Sequence, residues 1–486
     1  MIAHAFPPEG HAGTYRPLRF VRQLPALGWL PTVISLKTES YHRYDPSLVS
    51  QIPNAVQVIR VPDRDLWKAF QHWRRKRIDD RVAGDAGAHA GYRGGHGSDS
   101  ARSRVRDLVR RIEAACYHPD PEMGWIRPAT KATLDVCATQ PPAVIWATAG
   151  PVSAFCVAEN VSLRTGIPYV LDFRDAWTIT YNEFEDMRPA WAKRLEERRM
   201  FRQLARARAV IFRSRAEAEC YWRAYNGAVR APQVHIIPNG YEGTIEPFVP
   251  MQSGRCEVLY TGTLADYRYD TLLKALARLR RESPHIASRV HFTFVGEDTG
   301  LVAAAARALD LDDIITTRGP VSQASVSQLT RQAHALLILA RPATVRGYEL
   351  FSAAKLYGYL RTGMPILGVV PEDETKHVLQ HVGATTVADV DSEPQIAAVI
   401  ARLVETWSQG AIARLAPDPF ACESYSAERQ TAQLVRALQG HPADDPFLPG
   451  ATPIPASLRA EISRRQRERA RARSDVYRDQ PQTADN

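Results

Sequence analysis

The residues with the clearest capacity for chemistry lie at the ends of short apolar runs. The first group is the segment Phe6-Pro7-Pro8-Glu9-Gly10-His11-Ala12-Gly13, which precedes a helical pattern. Glycines allow a backbone to approach a ligand closely, and the N-terminus of a helix offers unpaired N–H groups to an anion. The segment therefore indicates an anion-binding loop around Gly10 and Gly13. A turn with a purely structural role is the alternative.

Two charged residues, Arg174 and Asp175, follow the apolar run Val170–Phe173. Open α/β sheets bind their ligands beyond the carboxyl ends of parallel strands, which is where this pair would lie. A binding or catalytic role is favoured by that position. An Arg–Asp pair that only braces a loop is the alternative.

The second half of the sequence repeats the pattern of a strand followed by a glycine-containing loop. Such loops could approach a phosphate group, and Arg268 is near enough in sequence to the first of them to supply a cation. The residues concerned are Gly262 and Thr263, then Gly296, then Gly319 and Val321.

A further segment combines small residues with a lysine at the start of a helix. Ser352 and Ala353 precede Lys355, and Gly363-Met364-Pro365 ends the helix before the next apolar run. Small residues at a helix N-terminus beside a lysine form a suitable seat for a diphosphate. We therefore expect Lys355 to bind an anionic ligand.

Apolar runs alternate with helical patterns along most of the chain, which is typical of parallel sheets covered by helices. In the first half the helical pattern Thr14–Leu27 is the clearest, and in the second half helices are predicted at Thr271–Arg281, Leu301–Leu309, Ser325–Ala333 and Gln395–Trp407. The fold class is therefore α/β, with two successive units separated at the turn Ile237-Pro238-Asn239-Gly240. The predicted strands are Thr32–Ser35, Val56–Val61, Ala143–Thr148, Tyr169–Phe173, Ala209–Phe212, Glu257–Tyr260, His291–Val295, Ile314–Thr317, Ala335–Leu339 and Ile366–Val369.

The ordered set of these motifs resembles the GT-B glycosyltransferases of family 4, the glycosyl transferases group 1 type, over about residues 1–440. The resemblance implies two Rossmann-like domains facing across a cleft, and a retaining transfer of a sugar from a nucleoside diphosphate to a glycan or lipid-linked acceptor in cell-surface polysaccharide synthesis. It also implies that no divalent metal and no cofactor are needed. The expected domains are an N-terminal acceptor domain (1–228, with an insertion at about 62–112), a nucleotide-sugar domain (229–425), a helix crossing back (426–440) and a disordered Pro/Arg-rich tail (441–486).

Carried over by position, the resemblance assigns roles to the residues above. It implies catalytic roles for Arg174, Asp175, Arg268 and Lys355. The donor would be bound at Gly10, Gly13, Gly262, Thr263, Gly296, Gly319, Val321, Glu349, Ser352 and Ala353.

Departures from the family pattern include two in the donor-binding region. Gly358 stands where relatives have the glutamate that binds the ribose. The other glutamate of the family's pair would fall near Leu350, where Glu349 could substitute only through a shift of one residue. Thr263 and Arg268 occupy the region where many relatives have an arginine and a lysine. A non-catalytic scaffold of the same fold that binds membranes or polyanions, and a sugar-nucleotide epimerase, are therefore alternative functions.

The net charge of +9 is concentrated in two segments. Residues 60–111 hold 14 basic against 7 acidic residues, and residues 458–486 hold 8 against 5. Within the first segment, Leu66–Arg77 has apolar residues on one helical face beside basic ones, a pattern typical of helices on anionic lipid. An amphipathic helix packed on its own domain is the alternative interpretation. The first interpretation predicts an anionic membrane surface as a partner, and nucleic acid is not expected, because the basic residues lack interleaved stacking aromatics outside Leu66–Arg77. Six scattered cysteines and the lack of a long apolar run favour a cytoplasmic protein at the inner face of the membrane.

Overall fold

The computed structural model describes residues 1–41, 43–64, 117–179, 188–225, 228–265, 267–341, 350–452, 454, 459, 460 and 462–464. Most of the predicted insertion and the basic segment Leu66–Arg77 lie outside the described residues, and so does Glu349. The chain divides into two compact units. The first consists of Met1–Phe212, Ala218–Ile236 and Thr431–Ala451, and the second of Arg213–Glu217, Ile237–Gln430 and Thr452–Asn486.

The first unit is built on parallel strands with helices between them. Its strands are β1 (Thr32–Leu36), β2 (Gln57–Val61), β3 (Ile145–Thr148), β4 (Tyr169–Asp172), β5 (Ala209–Phe212) and β6 (Val234–Ile236). Its helices are α1 (Tyr15–Gln23), α2 (Met123–Thr139), α3 (Ser153–Thr165), α4 (Ala190–Arg206) and α5 (Arg215–Ala224), with 3₁₀ turns at Ala12–Thr14, Leu24–Leu27, Thr38–Ser40, Pro46–Gln51 and Ala231–Gln233.

The N-terminal stretch of the chain joins the strands of this unit into one sheet. Ile2 forms parallel bridges to Ile34 of β1 on one side and to Ala147 of β3 on the other. The sheet therefore runs β2, β1, the Ile2 stretch, β3, β4, β5 and β6. Every residue of β3, β4 and β5 is buried, because helices cover both faces of a parallel sheet.

The second unit repeats this architecture. Its strands are β7 (Cys256–Thr261), β8 (Val290–Val295), β9 (Ile315–Arg318), β10 (Ala335–Leu339), β11 (Ile366–Val369) and β12 (Val387–Ala388). Its helices are α6 (Asp270–Glu282), α7 (Pro284–Ala287), α8 (Thr299–Ala308), α9 (Gln323–Gln332), α10 (Ala354–Arg361), α11 (Glu374–His381), α12 (Glu393–Ser408) and α13 (Pro419–Cys422), with 3₁₀ turns at Ile412–Leu415 and Glu423–Tyr425.

The six strands of the second unit are parallel, in the order β12-β11-β10-β7-β8-β9. Successive residues of β7 face opposite sides of this sheet, so that Val258 and Tyr260 belong to one apolar core and Leu259 to the other. Both units therefore have the strand order of a doubly wound sheet, in which the order reverses beside the first strand.

The final helix, α14 (Ala427–Gln439), begins in the second unit and continues in the first from Thr431 onwards. The residues that follow it pack on the first unit, although the sequence places them in a disordered tail. Phe447 is only 2% exposed, and the Gly450 amide donates a 2.8 Å hydrogen bond to the buried Glu219. This part of the tail is therefore ordered.

All ten predicted strands are present, and their ends differ from the prediction by at most two residues. The structure adds β6 and β12, which are three and two residues long. None of the described helices is both long enough and apolar enough to span a bilayer.

Candidate functional site: two clusters at the carboxyl ends of the sheets

The first cluster lies where β3 and β4 end side by side. Thr148 and Asp172 are partners in the parallel register, so the residues that follow them, Gly150 and Arg174, are neighbours. Phe173 anchors the loop that follows β4, since its ring packs on Phe155, Phe212 and Tyr221 at centroid distances of 4.8 to 5.0 Å. We call Gly13, Gly150, Arg174 and Asp175 the arginine cluster.

Arg174 connects the loops of the arginine cluster. The residue is 8% exposed, and its guanidinium donates hydrogen bonds to the carbonyl oxygens of Gly13 and Gly150. A Cβ atom would lie 2.7 Å from this guanidinium at Gly13 and 2.4 Å at Gly150, so a side chain at either position would displace Arg174. Gly150 also has a φ of +101°, which favours glycine. Asp175 is the exposed member of the cluster.

A buried ion pair holds α1 against the end of β4. Arg16 donates from Nη2 and Nε to the two carboxylate oxygens of Asp172 at 2.9 and 3.2 Å, and both side chains are buried. This bidentate contact fixes the loop that contains Gly13, because Gly13 lies just before α1. Gly10 is placed elsewhere: its amide donates to the carbonyl of Arg43 at 2.8 Å.

The second cluster lies at the end of β7, the strand beside which the order of the second sheet reverses. Gly262 follows β7, and Arg341 follows the neighbouring β10. Lys355, in the first turn of α10, donates from Nζ to the Thr261 carbonyl at 2.9 Å. A Cβ at Gly262 would lie 2.8 Å from this nitrogen. We call Thr261, Gly262, Tyr267, Arg341 and Lys355 the lysine cluster.

Aromatic rings support the two cations of the lysine cluster. Lys355 Nζ lies 3.9 Å from the ring centroid of Tyr260 and 4.6 Å from that of Tyr267. The guanidinium carbon of Arg341 lies 5.9 Å from the same Tyr267 centroid. Burial, with a smaller contribution from the charge of Arg341, lowers the pKa of Lys355 to about 7. Among the residues that the structure describes, no carboxylate forms an ion pair with either cation.

The other loops of the second unit are arranged around Gly262. Gly296 has a φ of +143°, and a Cβ there would lie 2.2 Å from the Gly262 carbonyl oxygen, so these two loops are in direct contact. Thr263 donates from Oγ1 to Glu297 at 3.2 Å. Gly319 and Val321 are exposed beyond the edge strand β9, two strands from β7 and therefore about 10 Å away.

The start of α10 carries the small residues that the sequence singled out. Ala353 is the N-cap residue, and no side chain caps the helix there. Ser352 forms a hydroxyl–hydroxyl hydrogen bond with Tyr357. The first N–H groups of α10 therefore accompany Lys355 at one end of the helix.

Arg268 lies apart from the lysine cluster. Its guanidinium forms an ion pair with Asp391 on the surface, and its amide donates to the Ala340 carbonyl at 3.0 Å. Arg341 is the cation that the sequence analysis missed, although its position directly after a predicted strand was a usable signal. In the described parts of the chain, no group of three or more His, Cys, Asp or Glu residues is placed to hold a metal ion.

Two doubly wound units of this kind define the GT-B fold, and comparisons with known proteins agree. The sequence model of Glycosyltransferase Family 4 matches residues 91–242. The structure resembles the lipopolysaccharide outer core galactosyltransferase WaaB, with 11% identity, a TM-score of 0.53, and 90% of this chain and 98% of that one covered. It also resembles the sucrose-phosphate synthase of Thermosynechococcus elongatus, with 13% identity, a TM-score of 0.54 and coverages of 90% and 97%.

A third similar structure is a variant of S. aureus TarM in complex with fondaparinux, alpha-GlcNAc-glycerol and UDP, with 8% identity, a TM-score of 0.53 and coverages of 90% and 99%. No curated protein matches the chain in sequence. The resemblance to GT-B glycosyltransferases of the family 4 type is confirmed, and so is the expected fold.

Proposed function

We propose that the protein is a retaining glycosyltransferase that moves a hexose from a nucleoside-diphosphate sugar to a glycan or lipid-linked acceptor of a cell-surface polysaccharide. The family match and the GT-B fold support a glycosyltransferase. The particular donor and acceptor class, and a peripheral location at the inner face of the membrane, are part of the proposal.

The lysine cluster carries the proposal. Two cations share the ring of Tyr267 without a described counter-charge, which is unfavourable unless an anion binds between them. The N-terminus of α10, which no side chain caps, adds its first N–H groups beside Lys355. A diphosphate has the charge and the hydrogen-bond acceptors that this arrangement requires.

The same groups would promote the reaction. Negative charge develops on the diphosphate as the glycosidic bond breaks, so cations fixed at that position stabilise the transition state more than the ground state. Lys355 and Arg341 would neutralise this leaving group without a divalent metal. In this proposal Arg341 takes the role that the sequence analysis gave to Arg268.

In the first unit, the arginine cluster would bind hydroxyl groups of the acceptor or of the transferred sugar. Asp175 presents an exposed carboxylate beside Gly150, at the end of β4. Carboxylates accept strong hydrogen bonds from hydroxyl groups. Arg174 would act by holding this surface in place, because its own guanidinium is occupied by carbonyl oxygens.

The donor can be tested by isothermal titration calorimetry with a panel of UDP-, GDP-, ADP- and dTDP-sugars. UDP-sugars come first because the similar TarM structure contains UDP. We expect at least one donor to bind with a Kd below 1 mM, about 4 kcal/mol of binding free energy. The substitution Lys355→Met should raise the Kd for that donor at least tenfold. An absence of binding by every donor at millimolar concentration would refute the proposal. Donor turnover without any acceptor would instead indicate the epimerase.

A further inference from the structure

The helix α4 (Ala190–Arg206) exposes an apolar set of side chains to solvent. Trp191 is 54% exposed, Leu195 43% and Phe201 41%. Large apolar residues this exposed normally occur singly on a surface, whereas these three lie on one helix within three turns. They therefore define a surface that requires an explanation beyond folding.

Arginines alternate with the apolar residues on the same face. Arg194, Arg198, Arg202 and Arg206 are all exposed. At about 100° per residue, positions 191, 194, 195, 198, 201, 202 and 206 fall within an arc of about 140°. Of these four arginines, Arg202 forms an ion pair with Glu159, whose carboxylate is buried. We call this set of seven residues the α4 face.

The opposite side of α4 is fixed in the core of the first unit, so the α4 face cannot turn inwards. Its inner residues Ala192, Glu196, Met200, Gln203 and Leu204 are buried. On this inner side the Glu196 carboxylate contacts Arg188 and His118, so it does not neutralise the arginines of the α4 face. His118 also contacts the ring of Trp191 at a centroid distance of 5.3 Å, which orients the indole.

We infer that the α4 face docks on an anionic lipid bilayer. Indole and other large apolar side chains are favourable at the level of the headgroups, where the N–H group stays hydrated. Arginines can extend past them to the lipid phosphates while their aliphatic stems remain on the apolar surface. Apolar side chains and arginines alternate along several turns of α4. This pattern matches the surface of an anionic bilayer, where negatively charged headgroups cover an apolar interior.

This inference rests on the proposed membrane location but uses none of the residues assigned to donor binding. It also differs from the basic segments of the sequence, because the α4 face belongs to the folded first unit. A nucleic acid or an acidic protein is the competing partner for such a surface, and the experiment separates these outcomes.

The test is co-sedimentation of the full-length protein with vesicles of phosphatidylcholine alone or with 30% phosphatidylglycerol. The apolar variant is Trp191→Ser/Leu195→Ser/Phe201→Ser, and the charge variant is Arg194→Gln/Arg198→Gln. We expect the wild type to bind only the anionic vesicles, and each variant to lower the partition coefficient at least tenfold.

Matched controls come from the second unit. Val249→Ser/Phe420→Ser removes apolar side chains that are 80% and 79% exposed, and Arg331→Gln/Arg402→Gln removes two exposed arginines. Both controls should bind vesicles as the wild type does. Circular dichroism and titration with a nucleotide sugar verify that each variant is folded, so a failure here is distinguishable from a failure of the proposed function.

Three results would overturn the inference: equal binding of the wild type to neutral vesicles, wild-type binding by the apolar variant, or an equal loss in the controls. Tighter binding to a 30-nucleotide single-stranded DNA than to anionic vesicles would assign the surface to nucleic acid.

Discussion

The affinity for a nucleoside-diphosphate sugar should fall as the pH rises from 6 to 8.5, because the pKa of Lys355 in the free protein is about 7. Only the protonated lysine attracts the diphosphate, and the bound anion would raise this pKa again. At pH 6 about nine tenths of the lysine is protonated, and at pH 8.5 about 3%. The apparent affinity should therefore fall about thirtyfold, which is about 2 kcal/mol.

A nucleotide sugar is the suitable ligand for this measurement, since its diphosphate has no group that titrates near neutral pH. A free nucleoside diphosphate does have one, because a terminal phosphate has a second pKa near 6. Titration calorimetry in two buffers with different ionisation enthalpies would also reveal the expected uptake of nearly one proton on binding at pH 8.5.

Two variants of Lys355 isolate its contribution. Lys355→Met should bind weakly with an affinity that is constant over this range, and Lys355→Arg should retain binding without the pH dependence, because a guanidinium stays charged. A wild-type affinity that is the same at pH 6 and 8.5 would contradict the assignment. The assignment would also be contradicted if the donor affinity of Lys355→Met depended on pH as steeply as that of the wild type.

Three further substitutions test the two clusters and helix α10. Arg341→Gln should weaken donor binding about tenfold at pH 6 by calorimetry, the usual size of one lost charged contact, whereas Arg331→Gln should leave it unchanged. Gly150→Ala should reduce the free energy of unfolding, measured in urea, by about 1 to 3 kcal/mol more than Gly28→Ala does. Both positions have a positive φ, but only at position 150 would the added methyl group clash with the Arg174 guanidinium. Gly358→Glu should raise that free energy by about 0.5 kcal/mol, since nothing lies within 4 Å of the added Cβ; a loss of stability would contradict this.

The strands could be predicted from sequence because buried parallel strands are uninterrupted apolar runs. Ala335–Leu339 is entirely apolar and entirely buried, for example. Val234–Ile236 was missed because it contains a histidine and lies between prolines that indicate a turn. The ordered tail was missed for a similar reason: its prolines dominate the composition, while only a few scattered apolar residues, such as Phe447, are buried.

The candidate site was less accessible to sequence reasoning, because it depends on contacts between distant segments. Lys355 could be predicted from its place at the start of a helix. Arg341 meets Tyr267 only because β10 lies beside β7, and this adjacency arises from the strand crossover. Arg268 is close to Gly262 in sequence, yet its guanidinium pairs with Asp391, 123 residues further along. No local pattern indicates that partner.

The most direct test of the account is sugar transfer itself, measured as release of nucleoside diphosphate by the purified protein with the best donor and a lipid-linked glycan extracted from membranes. We expect release of nucleoside diphosphate to require the acceptor. The product should keep the anomeric configuration of the donor, as measured by nuclear magnetic resonance. Lys355→Met should lower the rate of transfer at least a hundredfold, about 2.7 kcal/mol in activation free energy. Release that does not depend on the acceptor, or that is unchanged in Lys355→Met, would contradict the account.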